Sequence, residues 1–163
     1  MTARHAPEKE HIMGFLKNLK DRAQQGLDAA QKGWGQFNNA KFADAVMAAS
    51  ALISAADGRI DPEERRKTAA FIMSSDKLKA FDVSVLAAKY DAHCDTMTRD
   101  PDFGKINLLQ AVGKVAKDAV EARTVAQVAL LIATADGNFD ESEQKMARDI
   151  IHALKLQPSE FGL

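Results

Sequence analysis

The chain has few of the residues that fix a fold through covalent or metal cross-links. It contains a single cysteine, Cys94, so no disulfide can form within it. Its four histidines show no metal-ligand spacing, and a structural zinc site would need three ligands besides the cysteine. A lone cysteine fits a reducing compartment, and we expect a cytoplasmic protein.

Charge of one sign and long apolar runs are also missing. The 22 basic and 23 acidic residues give a formal net charge of −1, which offers no general attraction for nucleic acid. The longest apolar stretch, residues 125–135, is interrupted by Gln127 and Thr134 and is too short to span a bilayer. The polar start of the chain is not followed by the apolar region of a signal peptide. Any electrostatic function must therefore come from local clusters of charge.

Apolar residues at helical spacing are abundant. One stripe runs from Phe42 to Ala56 at steps of three and four, and two more lie within residues 125–135 and 146–154. Alternating runs of β-branched residues, which would indicate strands, are absent. We therefore predict an all-α protein, a compact bundle of about seven helices. The predicted helices cover about residues 9–31, 40–56, 62–73, 83–98, 102–118, 122–135 and 141–155.

One segment of the chain occurs twice. Residues 51–64 and 130–143 share the pattern Ile-x-x-Ala-Asp-Gly-x-(Ile/Phe)-Asp-x-x-Glu, and every matched pair lies 79 positions apart. Self-similarity of this kind indicates a duplicated supersecondary unit. Each copy has the pattern of a helix, an acidic turn and a second helix. We therefore expect two pseudo-symmetric helix–loop–helix units within the bundle.

Helix capping explains much of each acidic turn. In the first copy, Gly58 suits the left-handed backbone that follows a helix C-terminus. Asp61 is placed to cap the next helix, and Glu64, three residues later, is placed to complete a capping box. The second copy repeats these positions with Gly137, Asp140 and Glu143.

Capping does not explain Asp57 and Asp136. Each puts a carboxylate near the negative end of a helix dipole, at a cost of about 0.3–1 kcal/mol that a bound cation would offset. The turns lack the ligand spacing of an EF-hand, and one turn alone supplies too few oxygens for calcium. If the two turns lie together, their carboxylates could hold a divalent cation, calcium first. The candidate ligands are Asp57, Asp61, Glu64, Asp136, Asp140 and Glu143.

Two further segments are distinctive: Phe71-Ile-Met-Ser-Ser-Asp-Lys-Leu-Lys-Ala-Phe-Asp82 and the ending Pro158-Ser-Glu-Phe-Gly-Leu163. Together with the acidic turns, they resemble the TerB family of tellurite-resistance proteins. The resemblance covers about residues 36–163, which we expect to form a TerB-like helical domain. It implies a helical protein with a cation-binding acidic surface, associated with a TerC-type membrane protein and TerD-type proteins in a stress response.

Residues 1–35 are expected to form a separate N-terminal amphipathic helical segment, with Phe15, Leu16 and Leu19 on its apolar side. Such a helix can pack on the bundle or lie on a membrane surface, so a peripheral position at the inner face of the membrane is an alternative. Trp34, between two glycines, is interpreted as a lid on the core or as an exposed anchor.

The sequence favours a non-enzymatic stress-response protein that binds divalent cations through two acidic turns and docks to partner proteins. Cys94 follows His93 without an identifiable catalytic partner, and no phosphate-binding loop is present. The alternative is a structural adaptor whose acidic residues only cap helices and which binds protein partners without metal.

Overall fold

The computed structural model describes residues 14–22, 24–25, 40–78 and 81–163. Within these ranges its regular structure is helical throughout, and the predicted all-α class is confirmed. The α-helices are α1 (14–22 and 24–25), α2 (Ala40–Ser54), α3 (Pro62–Ser74), α4 (Val83–Arg99), α5 (Pro101–Gly113), α6 (Ala119–Ala133) and α7 (Glu141–Ala153). Short 3-10 helices cover Asp76–Leu78 and Pro158–Phe161. None of the helices in these ranges has the length and apolar character needed to cross a membrane.

Part of the N-terminal prediction lies outside the described residues. The helix expected over residues 9–31 is seen only at 14–22 and 24–25, and Trp34 is not among the described positions. The division into a segment of residues 1–35 and a domain of residues 36–163 stays a prediction.

Helix α2 lies at the centre of the bundle. Ten of its 15 residues are buried, and α4, α5, α6 and α7 all pack against it. Residues 45–53 are buried without interruption, because alanines on several sides let neighbouring helices approach closely. A helix that is apolar on every side is stable only when protein surrounds it.

Aspartates determine where five of the helices begin. The N-caps of α3 to α7 are Asp61, Asp82, Asp100, Asp118 and Asp140. Each of these carboxylates accepts hydrogen bonds from amides in the first turn of its helix. Helix α6 begins at Ala119 rather than at the predicted residue 122, because Asp118 binds the amides of Val120 and Glu121.

The C-terminal hook, residues 158–163, holds helix α1. Leu19 is 1% exposed, and both Leu19 and Arg22 lie against Gly162. The Arg22 guanidinium donates a hydrogen bond to the carbonyl oxygen of Glu160 at 3.2 Å, and the Glu160 carboxylate pairs with Arg123 of α6 at 2.7 Å. Gly162 has a φ of 80°, which glycine adopts without strain. The hook therefore joins the first helix to the body of the bundle.

We expect Leu19→Ala to lower the free energy of unfolding by about 2–4 kcal/mol, because it removes a fully buried side chain between α1 and the hook. Urea denaturation followed by circular dichroism measures the change. Leu16→Ala, a half-buried site on the same helix, is the control and should lose less stability. Equal losses in the two variants would contradict the packing of α1 described above.

Candidate functional site: an acidic cavity between two repeated turns

The two copies of the repeat form the same kind of turn. Helices α2 and α6 end at Ser54 and Ala133, two residues before the predicted ends at 56 and 135. The chain then continues in tight turns to Gly58 and Gly137, whose φ angles are 101° and 83°. The predicted left-handed glycines are confirmed, because a Cβ at either position would strain the backbone.

Asp57 and Asp136 make the same local contact in the two copies. Asp57 Oδ1 accepts a hydrogen bond from the amide of Arg59 at 3.3 Å, and Asp136 Oδ1 accepts one from Asn138 at 3.0 Å. These bonds fold each aspartate over its own turn. They use only Oδ1, so Oδ2 of each carboxylate is left out of the turn contact.

The two copies differ at the glutamate. Asp140 Oδ1 accepts a hydrogen bond from the Glu143 amide at 2.8 Å, and Glu143 Oε1 accepts one from the Asp140 amide at 3.3 Å, which completes the predicted capping box. Asp61 accepts hydrogen bonds from the amides of Glu63 and Glu64, but the described hydrogen bonds include no return bond to Glu64. The predicted capping box at Glu64 is therefore wrong, because that side chain lines a cavity instead.

The two turns face one shared cavity of about 230 Å³. Five of the six candidate ligands line it: Asp57, Glu64, Asp136, Asp140 and Glu143. The sixth, Asp61, is not among the lining residues and caps α3. The structure thus brings together side chains that lie 79 positions apart in the sequence.

The cavity has an acidic rim and a floor of apolar and hydroxyl groups. The rim carboxylates are exposed except for Glu143, which is half-buried, whereas Ser50, Ile53 and Ile132 are buried. The lining residues of α2 and of the turn that follows it recur at helical spacing: Ser50, Ile53, Ser54 and Asp57. Those of α3 repeat that spacing: Glu64, Lys67, Thr68 and Phe71. Sequence reasoning missed the floor, although extending each acidic position by helical steps would have pointed to it.

A buried tyrosine fixes one hydroxyl of the floor. The Tyr90 hydroxyl lies 2.7 Å from Ser54 Oγ, and the residue is fully buried. Burial raises the pKa of Tyr90 well above its usual range, so it stays neutral. Burial likewise raises the pKa of Cys94 to about 11, which keeps it a thiol at neutral pH. Neither residue carried a signal in the sequence that linked it to the acidic turns.

Glu143 is the carboxyl group that this environment changes most. Burial, together with the negative charges of Asp140, Asp136 and Glu64, raises the pKa of Glu143 to about 7 against the opposing hydrogen bond from the Asp140 amide. Glu64 belongs to the other copy of the repeat. The two turns therefore lie close enough for their carboxylates to repel each other.

Lys67 places a positive charge in the same cavity. It lines the wall beside Glu64 but makes no ion pair within 4.0 Å among the described residues. The position 79 residues later is Met146, so the lysine belongs to one copy of the repeat alone.

The rim has the ligand chemistry of a hard divalent cation. Calcium and magnesium prefer carboxylate oxygens, and the exposed acids of both turns can rotate about their side-chain bonds. In the described part of the chain, no three acidic, histidine or cysteine side chains are already placed as a ligand set. An ion would therefore have to draw the carboxylates inward over the cavity.

Glu143→Gln tests the electrostatics of the rim. A carboxyl group with a raised pKa binds more protons in the folded than in the unfolded chain, so its contribution to stability is lost as pH rises from about 4.5 to about 7. Glutamine keeps the capping acceptor without the charge. We expect it to raise the free energy of unfolding by about 1 kcal/mol near pH 8, after allowance for solvent screening, and to leave it unchanged near pH 4.

The measurement is urea denaturation at both pH values. Glu141→Gln, in the same first turn of α7 but outside the cavity, is the control and should show no such pH-dependent gain. A gain for Glu143→Gln that is the same at both pH values would contradict the raised pKa.

Fold and site together define a class of protein: an all-helical bundle in which two repeated acidic turns share one cavity. The family model described as Tellurite resistance protein TerB matches residues 43–163, and the chain belongs to the TerB family. A relative named Tellurium resistance protein TerB, from Alcaligenes sp, is 28% identical over 120 residues, which are 74% of this chain and 95% of the relative. No solved structure gives a significant match. The resemblance predicted from the sequence is thus confirmed, and family membership supports a function related to tellurite resistance.

Proposed function

We propose that the protein is a non-enzymatic stress-response protein that binds divalent cations, calcium first, at the rim of the acidic cavity, and that the bound cation tunes its docking to partner proteins. The observation that carries this proposal is the convergence of five carboxylates from two distant turns on one cavity. Membership of the TerB family supports the stress-related role.

Electrostatics supplies the driving force for cation binding. The rim holds five carboxylates from the two turns, so the field there is negative and attracts a cation. Burial raises the pKa of Glu143 most, and the neighbouring carboxylates raise it further; a doubly charged ion that binds among these groups relieves their mutual repulsion. Asp57, Glu64, Asp136, Asp140 and Glu143 would supply oxygen ligands, and water would complete the coordination shell.

Removing one aspartate from each turn should weaken cation binding. We expect the double variant Asp57→Asn and Asp136→Asn to bind calcium at least about tenfold more weakly, because it loses two charges while asparagine keeps the Oδ1 acceptor of each turn. Isothermal titration calorimetry with calcium, manganese and zinc measures the affinity, and the metal-dependent rise in melting temperature checks it.

Asp61→Asn is the matched control for this experiment. It removes a charge from the same turn at a residue that does not line the cavity, and asparagine remains a good helix cap. It should bind calcium almost as the wild type does. The absence of both heat and a melting shift in the wild type at millimolar metal would overturn the cation proposal.

Lys67→Met should strengthen calcium binding. The lysine ammonium repels an incoming cation, and methionine already occupies the equivalent place in the second copy of the repeat. We expect a gain of about two- to fivefold in affinity, since Lys67 is exposed and its charge is screened. Arg66→Met, one position away and not lining the cavity, is the control for calorimetry. An equal gain in both variants would show a general charge effect instead.

The proposed partners are those that the family resemblance suggests, a TerC-type membrane protein and TerD-type proteins, met in the cytoplasm or at the inner face of the membrane. The competing proposal is a structural adaptor that needs no metal, and the use of Asp61 and Asp140 as helix caps favours it. The double Asn variant separates the two. In a metal-responsive protein the double variant should lose the effect of calcium on binding to a purified TerD-type protein, whereas in an adaptor calcium should have no effect on that binding in either form.

A further inference from the structure

The floor of the acidic cavity contains apolar side chains, which a metal site does not require. Calcium and magnesium are held by oxygen ligands. Below the rim, however, the cavity is walled by the apolar side chains of Ile53, Phe71 and Ile132, with Ala133 beside them. These apolar side chains come from three helices, α2, α3 and α6; Ile53 and Ile132 are buried, and Phe71 and Ala133 are half-buried.

The cavity also has more room than a single ion fills. Its volume is about 230 Å³. An engineered apolar cavity of about 150 Å³ in another protein binds benzene, so this space is large enough for an aliphatic side chain. The floor is already formed, because Ile53 and Ile132 are buried and Tyr90 holds the hydroxyl of Ser54 in place. A preformed cavity keeps the entropic cost of binding low.

The charge of the rim limits what can enter. A group that inserts an apolar side chain must leave its neighbours at the rim, where they face Asp57, Asp136 and Asp140. Acidic neighbours would be repelled there, whereas lysine or arginine would be complementary to the carboxylates. Lys67 is a single opposing charge and leaves the rim strongly negative.

We propose that the acidic cavity is the docking pocket for a partner protein segment in which one aliphatic side chain is flanked by lysine or arginine. The aliphatic side chain enters the apolar floor, and the basic side chains pair with the rim carboxylates. This inference rests on the proposed function, because it names the partner segment that docks at the cation site. Since both ligands use the same carboxylates, calcium and the basic segment weaken each other's binding by the same factor.

A set of short peptides tests the proposal on the full chain. The probe is acetyl-Arg-Lys-Leu-Lys-Arg-amide, and two controls replace either the leucine by glycine or all four basic residues by glutamine. Two-dimensional NMR titration gives the affinities and identifies the amides that shift. We expect the probe to bind at least about tenfold more tightly than either control and to shift the amides of Ser54, Thr68 and Asn138. Saturating calcium should weaken its binding by a similar factor.

A variant that fills the floor gives an independent readout. Ala133→Met should weaken probe binding at least about tenfold and leave calcium binding nearly unchanged, because it adds bulk beside the apolar lining residues and removes no carboxylate. Ala70→Met, at an exposed position of α3 outside the cavity, is the control and should have no effect. If Ala133→Met does not fold, the comparison of the three peptides decides alone.

The outcomes separate this inference from the cation proposal. Calcium binding without preferential binding of the probe, or equal affinity for all three peptides, overturns the docking pocket and leaves the cation site. Selective binding of the probe by a protein that shows no calcium binding supports the docking pocket and removes the cation site. Amide shifts confined to residues outside the cavity overturn the inference whatever the affinity.

Discussion

Burial of helix α2 is the constraint on which the rest of the structure depends. Residues 45–53, all apolar except Ser50, are buried without interruption, and α4, α5, α6 and α7 pack against the helix. Helix α6 is one of them, and its C-terminal end reaches the same cavity as that of α2. The meeting of the two acidic turns therefore follows from packing in the core. Attraction between the turns themselves cannot explain it, since both are negative.

This arrangement brings mutually repelling carboxylates together around the cavity. Five carboxylates share one region, and burial together with their charges raises the pKa of Glu143 to about 7. A large apolar core can offset the free-energy cost of this repulsion, because that cost is only a few kcal/mol at most. Any cation that enters relieves it. Repulsion at the rim lowers the stability of the free protein, and its removal on binding adds to the affinity for a positively charged ligand.

Features set by neighbouring residues in the chain could be predicted from the sequence, whereas side-chain contacts between distant helices could not. The helices, the left-handed glycines and the Asp61 and Asp140 caps follow from spacing and backbone preference within a few residues. The direction of the Glu64 side chain does not, because a capping box and a cavity wall are both compatible with its position. Tyr90 was equally hidden, since only the packing of α4 on α2 brings it to Ser54. The repeat in the sequence identified the candidate acids. That five of them share one cavity could be seen only from the packing of the helices.

The two copies of the repeat have the same acidic residues at the rim but different residues on the floor of the cavity. Asp57 matches Asp136 at the rim, while on the floor Ser54 is matched by Ala133. A spherical ion that touches only the rim meets Asp57 and Glu64 from one copy and the matching Asp136 and Glu143 from the other, so the difference between Ser54 and Ala133 does not affect it. A side chain that reaches the floor meets the Ser54 hydroxyl from one copy of the repeat and the Ala133 methyl group from the other. The pseudo-symmetric rim therefore suits a spherical ion, which has no orientation. The asymmetric floor accepts a larger occupant in one orientation only. A specific protein partner requires such a fixed orientation.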